Sequence, residues 1–465
     1  TAKQGTDREE VFCHYWSFGR DKAGARTSIH DDRWKLYDDG SFFDLDSDLE
    51  EENALAKSEL TSEASARYDH LQNRMQQILK PEPVTDPPNV VLIFADDLGW
   101  GDVGYHGYDD VLTPNIDRIA NEGVQFRQGY VSASVCGPSR AGLMTGVYQQ
   151  RLGAGENANA TGFPNNVQPQ FKMSGLPTSQ ATLAEILGPQ GYRCGVVGKW
   201  HLGVEEPLRP NARGFNFFWG FLNGSHTYTE WEPKFADRKD KWPVFRNDEM
   251  LPAQKDIYLT DMFNERAVNF IKHKPDSPFF LFLSYNAVHH PWQVPEAYLE
   301  RTKHLAGGKD RQFFAAMILA MDDGIGNVLD TLEDEGVADN TMVIFLSDNG
   351  SPRGQGLTPK PKDNAQPRGD TVMSNPGPHR GFKGDTYEGG IKVPFAMRWP
   401  AKIPAGSVYE QPVSALDIAP TAAAAAGVNE PTKGLPFDGK DLLPFLLGHR
   451  GEERPHDVMY WRRDN

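Results

Sequence analysis

The sequence predicts an α/β protein: a large domain with a mostly parallel mixed central sheet flanked by helices, plus a small α+β subdomain with an antiparallel sheet. Three observations carry this. From about residue 89 onward, short apolar runs alternate with longer helical patterns. Each apolar run ends abruptly in a polar cluster. Residues before that point follow a different rhythm, a hairpin signal and then one amphipathic helix.

In "RWKLYDDGSFFDL" (33–45) two strand-like runs flank Asp-Asp-Gly, which predicts a hairpin. "SEASARYDHLQNRMQQIL" places Ala64, Tyr68, Leu71, Met75 and Ile78 on one helical face. Residues 1–80 read as a small unit, and the proline-rich "PEPVTDPP" (81–88) as a linker. "NVVLIFADDLG" then reads as a buried strand ending in carboxylates. "TPNIDRIANEGVQF" predicts a helix with Thr113 as N-cap, Pro114 at the first position, an Ile116/Ile119/Ala120 face and Gly123 as stop. "ATLAEILGPQGY" carries the capping box Thr182–Glu185. "CGVVGKWHLG", "PFFLFLSYNAVHHPW" and "TMVIFLSDNG" repeat the strand pattern, with a helix around 309–335 between the last two. The Gly-, Pro- and Lys-rich stretch 351–380 reads as a long loop.

Composition narrows the function. The formal charge of −16, without a long basic block, argues against nucleic acid as the main partner. The longest apolar runs are far too short to span a membrane. No charged-apolar-small leader opens the sequence, so an export signal is expected to have been removed or never present. Cys13, Cys136 and Cys194 are odd in number and widely spaced, which suits neither a disulfide framework nor a zinc site. Cys194, inside a strand-like run, suits core packing. Cys136, in "SVCGPSRAGLMTG", has a poor setting for that. It could be a buried thiol, a catalytic thiolate, a metal ligand or the precursor of another group.

Polar residues fall where an open α/β sheet binds ligands, at the C-terminal ends of strands: Asp96-Asp97, Lys199/His201, His289/His290 and Asp348-Asn349. Three carboxylates and an amide are hard oxygen donors, suited to Ca²⁺ or Mg²⁺. Arg140, Lys199, His201, His289 or His290, and Lys383 add cations around them. A divalent ion ringed by such groups suits a tetrahedral oxyanion ester, its oxygens neutralised and its leaving oxygen protonated.

"CGPSRAGLMTG" resembles the C-x-P-S-R signature of type I, formylglycine-dependent sulfatases of the alkaline phosphatase superfamily. "ADDLGWGDVGYHG", "TPNIDRIANEGVQF", "GKWHLG", "AVHHPW", "SDNG" and "GFKGDTYEGGIKVPF" resemble the other family blocks, in family order, over roughly residues 88–420. The resemblance implies an alkaline-phosphatase-like fold and sulfuric-ester hydrolysis. It implies that Cys136 is oxidised to Cα-formylglycine by a formylglycine-generating enzyme, and that Asp96, Asp97, Asp348, Asn349 and the modified Cys136 bind calcium in preference to magnesium. Arg140 would stabilise the aldehyde hydrate, Lys199 and Lys383 hold sulfate oxygens, and His201 assist the second hydroxyl. Aligning the family's Ala-Pro-His-x-Pro with "AVHHP" selects His289 as sulfate-binding residue and acid; Val288 replaces the common proline. His290 either faces substrate or packs.

On the leaving-group side, His226, Trp231, His379 and Arg380 are candidate contacts to a sulfated saccharide. The family resemblance places the protein in a secreted or periplasmic setting. Two other readings stay open: a phosphoester or phosphonate hydrolase of the same superfamily, and a silent homologue that binds sulfated glycan. Residues 1–80 resemble the sulfatase C-terminal subdomain, and "REEVFCHYW" (8–16) and "RPHDVMYW" (454–461) look like versions of one strand. A circularly permuted or tandem-derived chain is therefore expected. Residues 89–440 would form the catalytic domain, with 441–465 leading into the small subdomain.

Overall fold

A computed structural model describes residues 11–15, 26–79, 86–154, 175–233, 241–273, 277–353, 373–451 and 453–462. The chain divides into two compact units, Thr1–Thr85 and Asp86–Asn465. In the first, strands Val11–Tyr15, Arg26–His30, Trp34–Tyr37 and Phe42–Asp44 pair antiparallel in chain order. The last two are the expected hairpin. The helix Ser62–Leu79 lays Ala64, Tyr68, Leu71 and Met75 into a core with Ile29, Trp34, Leu36 and Phe42. The side chain of Ile78 and residues 81–85 of the expected linker lie outside the described residues.

The second unit is built on a ten-stranded sheet. Its spatial order is Glu249–Met250, Phe245–Arg246, Phe217–Phe221, Arg193–Lys199, Phe279–Ser284, Asn89–Ala95, Thr341–Ser347, Phe395–Arg398, Val124–Phe126 and Ser407–Tyr409. The five central strands, from Phe217–Phe221 to Thr341–Ser347, are all parallel. Alternation explains why they read as continuous apolar runs. Val90, Leu92 and Phe94 face one core layer, with the helix Cys136–Thr145. Val91, Ile93 and Ala95 face the other, with helices Pro114–Asn121, Leu259–Lys272 and Gly308–Asp334. A sheet covered on both sides has no polar face to alternate with.

Local signals held in part. Thr182 and Glu185 form the expected reciprocal capping box. Thr113 occupies the N-cap position but makes no side-chain capping bond. Asp322, from the long helix Gly308–Asp334, instead accepts from the backbone N–H groups of Asn115 and Ile116. A buried carboxylate from a distant segment thus caps the Pro114–Asn121 helix, favourably placed against its dipole. Gly123 follows that helix for a reason of close approach: a Cβ there would lie 2.1 Å from the Met397 carbonyl oxygen.

The stretch 454–461 forms no strand, contrary to the repeat expectation. It is tied to its own unit by side chains. His456 Nε2 meets Asp417 Oδ1 at 2.7 Å, and Trp461 Nε1 donates to the Val131 carbonyl at 2.7 Å. Residues 354–372 of the expected long loop lie outside the described residues.

Candidate active site

Four of the five parallel strands deliver their polar residues to one edge. Asp96 and Asp97 follow Ala95, Lys199 closes its strand with His201 two residues on, and Ser284 closes the next, with His289 in the loop beyond. Asp348 and Asn349 follow Ser347. Carboxylate oxygens of Asp96, Asp97 and Asp348 lie within 4.8 Å of one another, as do ligand atoms of Asp96, Cys136 and His289. Cys136 is the first residue of a helix whose ten residues are all buried, so the sulfur sits at the positive end of that dipole.

Charge balance is tight. The Arg140 guanidinium, fully buried, donates from Nε and Nη2 to Asp348 Oδ2 at 3.2 and 2.9 Å. From Nη1 it donates to Ser284 Oγ at 2.6 Å and the Lys199 carbonyl at 3.2 Å. Lys199 Nζ donates to Asp96 Oδ2 at 2.5 Å, and Lys383 Nζ reaches Asp97 Oδ1 at 2.6 Å. Asn349 Nδ2 donates to Asp97 Oδ1 at 2.7 Å. His289 Nδ1 donates to the His290 carbonyl at 2.7 Å, which leaves Nε2 as the nitrogen near Asp97, 3.9 Å from its Oδ2.

Titration follows from this packing. Burial, reinforced by the adjacent Asp348 carboxylate, pushes the Asp96 carboxyl above its ordinary range. Burial also opposes the charge on Asp97, but the Lys383 ammonium and His289 outweigh it and hold that carboxyl well below the usual range. Burial pushes His201 and His289 far down, and neighbouring cations push the same way. Burial raises the Cys136 thiol, with Lys199 and Lys383 opposing only in part. A reactive thiolate requires the reverse.

Do these residues suit a divalent cation? Asp96 Oδ1 and Asn349 Oδ1 are buried oxygens without a hydrogen-bond partner among the described residues, beside three converging carboxylates. Unsatisfied buried acceptors are costly. Hard-oxygen coordination would satisfy them, so the donor set fits Ca²⁺ or Mg²⁺.

Backbone strain clusters here. Asp97 (φ 67°) and His201 (φ 58°) adopt the left-handed region at a cost of roughly 1–3 kcal/mol each. Gly198 (φ 114°) is obligatory, since a Cβ would lie 1.9 Å from the Ser284 carbonyl oxygen.

The leaving-group candidates divide. His226 is buried, its ring nitrogens on the carbonyls of Thr227 and Trp242, and Trp231 is buried with Nε1 on the Pro252 carbonyl. Both hold loop structure rather than face solvent. His290 is exposed and stacked on His289 at 4.3 Å. His379 is half-buried, edge-on to Trp100 at 4.9 Å, and exposed Arg380 lies over the Tyr387 ring at 3.9 Å. Sequence reasoning missed Ser284, the hydroxyl that anchors Arg140. Its one signal was a polar residue closing an apolar run. It also missed Asn223 and Asn286, buried amides just past strand ends, whose side-chain atoms have no partner among the described residues.

The Sulfatase family profile matches residues 88–428. N-acetylgalactosamine-6-sulfatase of Mus musculus is 35% identical over 389 residues, covering 81% of this chain and 69% of the relative. Arylsulfatase A of Homo sapiens is 32% identical over 400 residues, covering 78% and 69%. The crystal structure of Ps i-CgsB in complex with k-i-k-neocarrahexaose superposes with a TM-score of 0.68 at 34% identity, covering 80% of this chain and 78% of that one. With this extent of similarity laid over a cation-lined, oxyanion-ready strand edge, the chain belongs to the sulfatase family of the alkaline phosphatase superfamily and is a sulfate-ester hydrolase.

Proposed function

We propose that this sulfatase removes sulfate from a sulfated carbohydrate, with Cys136 converted to formylglycine and calcium held by Asp96, Asp97, Asp348, Asn349 and the modified residue 136. The convergence of Cys136, three carboxylates and His289 at one strand edge carries the reading. The relative named N-acetylgalactosamine-6-sulfatase and the structure in complex with k-i-k-neocarrahexaose support the carbohydrate class. Among the described residues no helix is long and apolar enough to cross a membrane, and we place the protein in a secreted or periplasmic setting.

Bound calcium would offset the negative charge of the sulfate oxygens. Formylglycine at residue 136 would supply, as its hydrate, two hydroxyls, one nucleophilic toward sulfur and one whose proton loss would release sulfate without attack by water. The chain's own residues do the rest. Lys199 and Lys383 bind sulfate oxygens, and their ammonium groups stabilise the charge that grows on them. His289, neutral in the free enzyme, takes up a proton on Nε2 when the anionic ester binds beside it and passes it to the leaving oxygen, its ring fixed by the Nδ1 bond to the His290 carbonyl. His201, whose ring nitrogens have no partner among the described residues, takes the proton of the second hydroxyl. Arg140 holds Asp348 and the Lys199 backbone in register.

The test is mass spectrometry of the Cys136 peptide from protein made with a formylglycine-generating enzyme, together with turnover of matched sulfated and phosphorylated saccharides. Aldehyde at residue 136 with sulfate release is expected. An intact thiol with tight glycan binding would favour the silent homologue, and preferential phosphate release the phosphoesterase reading.

A further inference from the structure

We infer that this protein carries a second saccharide site, a cationic cavity that holds a sulfated part of the glycan away from the catalytic edge. The inference takes its ligand class from the substrate proposed above. The cavity, of about 750 Å³, lies among Arg193, Arg246, Arg266, Gln254, Asn269 and His273. That volume falls within the roughly 300–1,000 Å³ of ligand sites. It sits at the other end of the sheet. Arg193 opens the strand that Lys199 closes, six steps of about 3.3 Å away, or about 20 Å.

Charge is the leading argument. The chain has 64 Asp and Glu against 48 Lys and Arg, yet among the described residues no Asp or Glu lines this cavity. Three guanidinium groups and a histidine do. One bland account is that Arg193 and His273 serve the end of the helix Leu259–Lys272, since Arg193 donates to the Phe270 carbonyl and His273 Nδ1 to that of Asn269. Cations belong at a helix C-terminus. That account leaves much unused. A guanidinium has five N–H donors, and the buried Arg193 Nε has no partner among the described residues. Burial lowers the Arg193 guanidinium from its ordinary value, with no carboxylate among the described residues compensating. Exposed Arg246 is not at the helix end at all. Arg266 spans Glu265, at 2.7 Å, and the Trp219 ring, at 5.4 Å.

The chemistry selects the occupant. Planar guanidinium forks match sulfate oxygens in pairs. Gln254 and Asn269 offer both donors and acceptors to sugar hydroxyls. An arginine already stacked on an aromatic ring, as Arg193 is over Phe270 at 3.7 Å, loses little freedom on binding.

The test titrates a panel of sulfated hexasaccharides (chondroitin, dermatan, heparan and carrageenan types), each with its desulfated counterpart, into the Cys136→Ala protein by calorimetry. At least one should bind in a sulfation-dependent way. Adding Arg246→Glu should weaken it about tenfold, and Arg193→Gln likewise, while Lys402→Glu, the same charge change on an exposed lysine elsewhere, should not. In the Cys136 enzyme, Arg246→Glu should leave kcat/KM for a small aryl sulfate unchanged. No sulfation-dependent binding, equal affinity in Arg246→Glu, or an equal loss in Lys402→Glu would overturn the inference. If aryl sulfate is not turned over while Arg246→Glu still weakens the saccharide, the catalytic reading falls and this site stands. If aryl sulfate is turned over but Arg246→Glu has no effect on binding, the site falls alone.

Discussion

Replacing Ser284 by alanine removes a hydroxyl that does two jobs. It accepts from Arg140 Nη1 at 2.6 Å and donates to the Lys199 carbonyl at 2.7 Å, in a fully buried position. The charge-assisted bond is worth about 1.5–3 kcal/mol and the neutral one about 0.5–1.5 kcal/mol. Part of this is recovered, because Nη1 already lies 3.2 Å from the same carbonyl and can close on it. The net loss should be about 2–3 kcal/mol, or a fall of about 2–5 °C in the unfolding transition of the catalytic unit. Arg140 keeps its two bonds to Asp348, so the site persists but loses register between the Lys199 and Asp348 strand ends. For a small aryl sulfate we expect kcat to fall about tenfold with KM little changed, since a misplacement in the bound complex costs the transition state more than binding. Thermal unfolding and steady-state kinetics on the same preparation check both. Lost stability with unchanged kcat would refute the positioning role. Unchanged stability would refute the hydrogen-bond account itself.

Three further outcomes are expected. In Cys136→Ser, a sulfated serine should accumulate after one turnover and steady-state activity should vanish, read by intact-protein mass spectrometry; sustained turnover would contradict the two-hydroxyl chemistry. Calcium should raise the unfolding temperature of chelated protein, with about 2.7 kcal/mol of added stability at one hundred times the dissociation constant; no response would count against the oxygen-donor site. Asp322 gives a pH signature. Burial raises its carboxyl from 3.8 to about 6, so between those values the native chain keeps a proton that the unfolded chain has released. Stability should therefore fall as pH rises through that window, by up to about 3 kcal/mol, and the difference should flatten in Asp322→Asn, measured by denaturant titration at pH 4 to 7.

What the sequence disclosed follows interaction range. "VVLIFADD" and "FLSDN" carry both a strand and its catalytic edge within ten residues, so the central sheet and its carboxylates were readable. The Thr182–Glu185 box, three residues apart, was too. Asp322 capping a helix some two hundred residues earlier was not, because no local pattern marks a carboxylate for a distant N–H group. Ser284 was hidden for the same reason: its partners, Arg140 and the Lys199 carbonyl, come from other segments. Residues 454–461 misled in the opposite way. Their apolar and aromatic residues suit a strand, but the hydrogen bonds of His456 and Trp461 tie them into the catalytic unit without one.

The four strand ends that meet at the site are drawn from residues 95 to 347, and they neighbour one another only when all four strands lie in parallel register. No contiguous fragment holds a rudimentary version of this chemistry. Parallel pairing demands long loop closures before any contact rewards them, so catalytic competence should arise late in folding and all at once. Turnover recovered during refolding would then report completion of the central sheet itself, and would lag behind probes of helix content.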